Sequence, residues 1–195
     1  MNPAPPDRSL FSLARPAAWL AVLAVVVCAA GGGAQPSAPR ASERSVKAAY
    51  LYKFAEYVDW PDAPLLPAGQ PFTIGVLGAA ALADDLQRMT ADRTLDDRPI
   101  TVRRVTSTEP FDDLDVLFIA DDERGNLGEL LSPVKGRPIL TVTESAGALA
   151  DGSIINFTVS GERVRFEVSL DAAQASRLKL SSRLLAVAAS VQQSQ

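Results

Sequence analysis

The sequence predicts one α/β domain, built on a mixed, mostly parallel β-sheet with helices on both faces and a C-terminal antiparallel hairpin. Three observations carry this. Between residues 72 and 143, short β-rich runs alternate with stretches of helical periodicity, the pattern of parallel strands joined by crossovers. The run Leu114-Asp-Val-Leu-Phe-Ile-Ala120 is almost wholly apolar, as expected for a strand covered on both faces. Two alternating runs, 153–160 and 163–170, then flank Gly161-Glu162, a strong hairpin signal.

Taken in order, the chain opens with Arg8 and Arg15, an apolar run over 17–30, and Gly31-Gly-Gly-Ala34. This is the order of a secretory signal peptide, with cleavage expected after Ala30 or Ala34. An uncleaved membrane anchor is the other reading, but the run is shorter than the ~20 residues that span a bilayer. The expected division is therefore a signal peptide over 1–34, a Pro/Ser/Ala-rich linker over 35–41, the domain over 42–191 and a tail over 192–195.

Ser42 is expected to cap the first helix, with Glu43 complementing its dipole. At about 100° per residue, Val46, Tyr50, Leu51, Phe54, Tyr57 and Val58 share one arc, with Glu56 and Asp59 opposite. Pro61 ends the helix, because its ring cannot extend it and biases Trp60 toward an extended conformation. Most of the aromatic face should pack on a sheet. Tyr52 points off that arc and Trp60 stands at its end, so these two are the expected surface anchors for a partner.

After a proline-rich stretch, residues 72–78 read as a strand entering a helix over 79–89, whose Leu82, Leu86 and Met89 recur at helical spacing. Residues 99–105 read as an edge-proximal strand. A helix over 121–131 turns Leu127, Leu130 and Leu131 inward, and 138–143 is the next strand. In 163–170, Val164, Phe166, Val168 and Leu170 share one face. Asp171 is expected to cap a short helix to Leu178, and 181–191 to form a last amphipathic helix.

Composition narrows the chemistry. Histidine is absent and the single cysteine, Cys28, lies in the leader, which removes Ser-His and Cys-His catalysis, disulfides and the usual zinc sets. A net charge of -4 and a pI near 4.9 oppose nucleic-acid binding. Gly75 and Gly78 lack the spacing of a dinucleotide or phosphate loop and read as packing glycines. The acidic runs Asp84-Asp85, Asp112-Asp113 and Asp121-Asp122-Glu123 lack metal-loop spacing. Asp121 at a strand end suggests a phosphate receiver, but the turn after the first strand has no acids to complete one, and no G-x-S-x-G elbow exists. No catalytic residue, metal site or cofactor is expected. A small ligand would be sought beyond the C-terminal strand ends, near Gly78, Ala79, Asp121, Glu144 and Ser145.

Several stretches together resemble the YfiR-like family of periplasmic regulators. They are Lys47-Ala-Ala-Tyr-Leu-Tyr-Lys-Phe-Ala-Glu-Tyr-Val-Asp-Trp-Pro61, Ile74-Gly-Val-Leu-Gly78, Val116-Leu-Phe-Ile-Ala120, Ile139-Leu-Thr-Val-Thr143, Ile155-Asn-Phe157, Arg163-Val-Arg-Phe-Glu-Val168 and Leu178-Lys-Leu-Ser-Ser-Arg-Leu-Leu185. The first and last are the specific ones. The resemblance implies a non-enzymatic periplasmic protein with a compact α/β fold, able to form a homodimer. It implies binding to the periplasmic sensor domain of an inner-membrane diguanylate cyclase, repressing cyclic di-GMP synthesis and so biofilm formation. The best-known member has disulfides linked to redox control, and this chain departs there. A periplasmic small-molecule-binding sensor subunit is the alternative, and an uncharacterised hydrolase a third reading.

Overall fold

The computed structural model describes residues 38–61, 69–121 and 127–194. The expected leader with its expected cleavage positions and Cys28, most of the proline-rich stretch, and Asp122 and Glu123 lie outside the described residues.

Helix α1 spans Ala38–Glu56 and begins earlier than expected, so Ser42 lies within it instead of capping it. Pro39 sits in its first turn, where a missing N–H costs no hydrogen bond. Then follow β1 (Val58–Asp59), β2 (Phe72–Leu77), α2 (Ala80–Thr90), β3 (Thr94–Leu95), β4 (Arg98–Val105), β5 (Val116–Ile119) and α3 (Leu127–Leu131) with a 3-10 turn over Ser132–Val134. The chain continues through β6 (Leu140–Thr143), β7 (Ile155–Ser160), β8 (Arg163–Ser169), α4 (Leu170–Ala175), β9 (Lys179–Leu180), α5 (Ser182–Val187) and β10 (Ser190–Gln192).

Eight strands form one sheet in the order β10-β8-β7-β6-β5-β2-β4-β3. From β4 to β7 every pairing is parallel, β7 and β8 form the expected antiparallel hairpin, and β10 returns parallel to β8. Strands β2, β5 and β6 are buried at every position. Each therefore feeds two cores. Ile74, Val76, Val116 and Phe118 face α1 and α2, while Leu77, Leu117 and Ile119 face α3 and its 3-10 turn. Helices thus lie on both faces. Gly75 belongs to the second face, where an added Cβ would stand 2.6 Å from Leu114 Cδ1. It is a packing glycine.

The C-terminal helices differ from expectation. Ser169, not Asp171, caps α4, its side chain accepting from the Ala172 N–H. Ser181 caps α5 in the same way through Leu184, but α5 ends at Val187 and 190–192 is a strand. The outer edge of β8 would otherwise leave its backbone groups unpaired. The chain turns extended at Ala188, Ala189 N–H donates to Phe166 O at 2.8 Å, and Val191 registers with Val168. Sheet pairing here outweighs a helical pattern. Strands β1 and β9 make a separate antiparallel pair that ties the end of α1 to the segment before α5.

Candidate functional site

The strand order reverses between β2 and β5, since β4 lies on one side of β2 and both β5 and β6 lie on the other. In register, Leu77 neighbours Ile119, and Ile119 neighbours Thr143. Gly78, Ala79, Asp121, Glu144 and Ser145 consequently share one rim at the C-terminal strand ends. That rim is bonded to α1. Lys47 Nζ donates to Glu144 Oε2 at 2.7 Å and to Glu43 Oε1 at 2.6 Å, and Asp121 N–H donates to Glu144 Oε1 at 3.2 Å. Burial alone would lower the Lys47 pKa, but the hydrogen bonds it donates to Glu144 and Glu43, together with their negative charges, outweigh it and hold the ammonium above its ordinary range. Ser145 is 1% exposed and its hydroxyl has no partner. None of these five residues lines the cleft at the N-terminal strand ends, the groove between α1 and α5 or the cleft on the α3 face.

The two expected surface anchors separate. Tyr52 is 7% exposed, because α1 packs against α2 as well as the sheet and the tyrosine falls on the α2 side. Arg93, just past α2, donates to the Tyr52 hydroxyl at 3.3 Å and lies over its ring at 5.0 Å. The expectation of an outward Tyr52 is thereby corrected. Trp60 is half-buried, edge-on to Phe72 at 5.3 Å, and its indole Nε1 is buried without a partner. It lines a cleft of about 510 Å³ at the N-terminal strand ends. There Arg98 donates twice to Asp115, at 3.0 and 2.8 Å, while Asp115 also accepts from the Thr73 N–H at 2.7 Å.

The acidic runs are largely committed to arginines. Asp84 pairs with Arg104, Asp85 with Arg44 and Arg88, Asp112 with Arg137, and Asp113 with Arg103. Among the described residues no group of three His, Cys, Asp or Glu side chains could hold a metal ion.

Two further surfaces were not anticipated. A mainly apolar groove of about 330 Å³ runs between α1 and α5, with Tyr50, Phe54 and Phe166 along it and Val46 and Val187 at its rim. Tyr50, Phe54, Phe157 and Phe166 form a ring cluster with centroids 4.9 to 6.0 Å apart, so the groove rests on a rigid base. Only the helical arc of α1 hinted at it, since α5 is supplied from residues more than a hundred positions away. The second is a cleft of about 750 Å³ on the α3 face, lined by Lys135, Thr141, Ser169, Asp171 and the 191–194 segment. Asp171 accepts from both the Ser194 N–H and its hydroxyl at 2.7 Å, hydrogen bonds that lower its pKa.

Residues 44–189 match the YfiR/HmsC-like family. The chain belongs to that family. No curated protein matches it. Among solved structures, this YfiR/HmsC-like chain is similar to a conserved domain protein from Vibrio cholerae O1 biovar El Tor str. N16961, at 12% identity and a TM-score of 0.54. The match covers 74% of this chain and 60% of that one, and the likeness is one of fold. The two specific motifs, over 47–61 and 178–185, both lie within the matched span.

Proposed function

We propose that this YfiR/HmsC-like protein is a periplasmic regulator that binds the sensor domain of an inner-membrane diguanylate cyclase and represses cyclic di-GMP synthesis. The observation that carries the reading is the family match across nearly the whole described domain. In this reading residues 1–34 are the export signal, 35–41 lead into the domain and the domain acts by protein contact, alone or as a homodimer. No helix among the described residues is long and apolar enough to cross a membrane. The exposed part of Trp60 remains a proposed contact; Tyr52, being buried, supports the fold.

The test is to delete the gene and measure cyclic di-GMP, complementing with export-competent and export-blocked forms. A rise on deletion, reversed only by the exported form, is expected. No rise in a strain expressing the host's membrane diguanylate cyclases would refute the repressor reading.

The α3-face cleft favours a second reading, a small-molecule-binding sensor subunit, because its volume falls in the ~300–1,000 Å³ range of ligand pockets. A metabolite that raises the melting temperature of the isolated protein would support it. The rim at Gly78, Ala79, Asp121, Glu144 and Ser145 is the other proposed place for such a ligand, although α1 already supplies its bonding partners.

A further inference from the structure

Resting on the regulatory reading above, we infer that the groove between α1 and α5 receives an apolar-faced helix of the partner protein that carries carboxylates at its flanks. Four large hydrophobic side chains are exposed among the described residues: Val46, Val159, Val187 and Val191. Val46 at 38% and Val187 at 58% stand on the two walls of this one groove. Val159 at 52% registers with Val164, which lines a cleft that adjoins the groove through Val46 and Tyr50. An apolar surface of this continuity is the usual mark of a contact site.

Charge specifies the occupant. Most basic side chains on the sheet and on α1 and α2 are bonded to acids, as Arg44, Lys47, Lys53, Arg88, Arg98, Arg103 and Arg104 show. Arg163, Arg165 and Arg183 are exposed and, like Arg93, Lys135, Arg177 and Lys179, stand in no ion pair among the described residues. Arg163 and Arg165 line the adjoining cleft at the Val46 end. Arg183 precedes Val187 by four residues on α5, which puts the two on one helix flank. A chain with a net charge of -4 therefore keeps cations without an ion pair at the Val46 end of its apolar groove and on α5.

Shape separates a helix from a membrane surface. The groove is concave and walled by two helices, so it accepts inserted side chains, whereas a lipid-binding face presents its own apolar groups outward. From Val46 to Glu56, α1 rises by roughly 15 Å, enough for nearly three turns of a facing helix.

The test uses the full chain, exported and purified, with the periplasmic domain of each inner-membrane diguanylate cyclase of the host as probe in titration calorimetry. Val46→Asp and Val187→Asp replace exposed side chains and should leave the melting temperature within a few degrees, yet weaken binding at least tenfold. Arg163→Glu with Arg165→Glu should weaken it as well and flatten its salt dependence. Lys135→Glu, on the α3 face, is expected to bind as the parent does. Parent-like binding by both valine variants would overturn the groove assignment and leave the regulatory reading standing. Loss of binding to anionic phosphatidylglycerol vesicles in those variants, with cyclase binding kept, would overturn it in favour of a membrane. A parent chain that binds no cyclase domain, together with unchanged cyclic di-GMP on deletion, would refute both.

Discussion

Replacing Lys47 by Met tests whether the C-terminal strand rim is closed by α1. The substitution keeps the aliphatic stem and removes the ammonium that joins Glu43 and Glu144. The side chains of Lys47 and Glu144 are 13% and 19% exposed, so the pair lies between two regimes. Exposed pairs contribute about 0–1 kcal/mol, and breaking a fully buried pair costs about 3–5 kcal/mol. A loss of about 2 kcal/mol is expected, because Glu144 keeps only the Asp121 N–H as a donor. Equilibrium denaturation at pH 7 reads this, and Glu144→Gln in the Lys47→Met background should recover about half of it in a double-mutant cycle. The pKa of Lys47 is raised on folding, so its contribution is fully present below the unfolded value of about 10.4 and is lost as pH climbs through the folded value. The parent's advantage over Lys47→Met should accordingly be flat from pH 7 to 9 and shrink only above about 10.4. A Lys47→Met chain within 0.5 kcal/mol of the parent, or zero coupling to Glu144, would refute the closure.

Gly75→Ala places a methyl group against the buried Leu114 side chain, and overpacking of this kind should cost about 1–3 kcal/mol in denaturant unfolding, with part regained by Leu114→Ala. Tyr52→Phe removes the hydroxyl that accepts from Arg93 and bonds Glu56 and should cost about 1 kcal/mol, whereas Tyr52→Ala opens a cavity worth about 3 kcal/mol or more by the same assay. The pKa of Asp85 is lowered chiefly by its hydrogen bond from Arg44, so its contribution is present above the ordinary aspartate value of about 3.9 and is lost as pH falls through the folded value. Asp85→Asn should make the acid limb of a melting-temperature profile shallower while lowering the plateau at neutral pH.

Much of the fold was legible because its signals are local. Burial on both faces makes β5 apolar throughout, a turn fixes the β7–β8 register, and Leu82 and Leu86 face inward at helical spacing. What sequence reading missed depends on partners distant in the chain. The arc drawn for α1 allowed for one neighbour, the sheet; with α2 as a second neighbour the buried face widens to include Tyr52. Residues 188–192 carry enough helical character to extend α5, and only the open edge of β8 makes a strand the better state. Glu43 and Lys47 sit at an i,i+4 spacing that flags their pairing, but nothing local connects Lys47 to Glu144, 97 residues away.

The same non-local pairing redirects the search for function. Asp84, Asp85, Asp112 and Asp113, acidic runs without metal-loop spacing, are each engaged by an arginine from another part of the fold. The strand-end rim, where an α/β sheet ordinarily offers its ligand site, is bonded to Lys47 of α1. Charge that is satisfied within the domain is poorly placed to recruit a substrate, since a ligand would first have to displace an existing partner. By contrast, the groove beside α5 pairs exposed valines with arginines that have no acid of their own. Desolvating those valines and pairing those arginines would both need a second surface, which is the contact proposed for the groove.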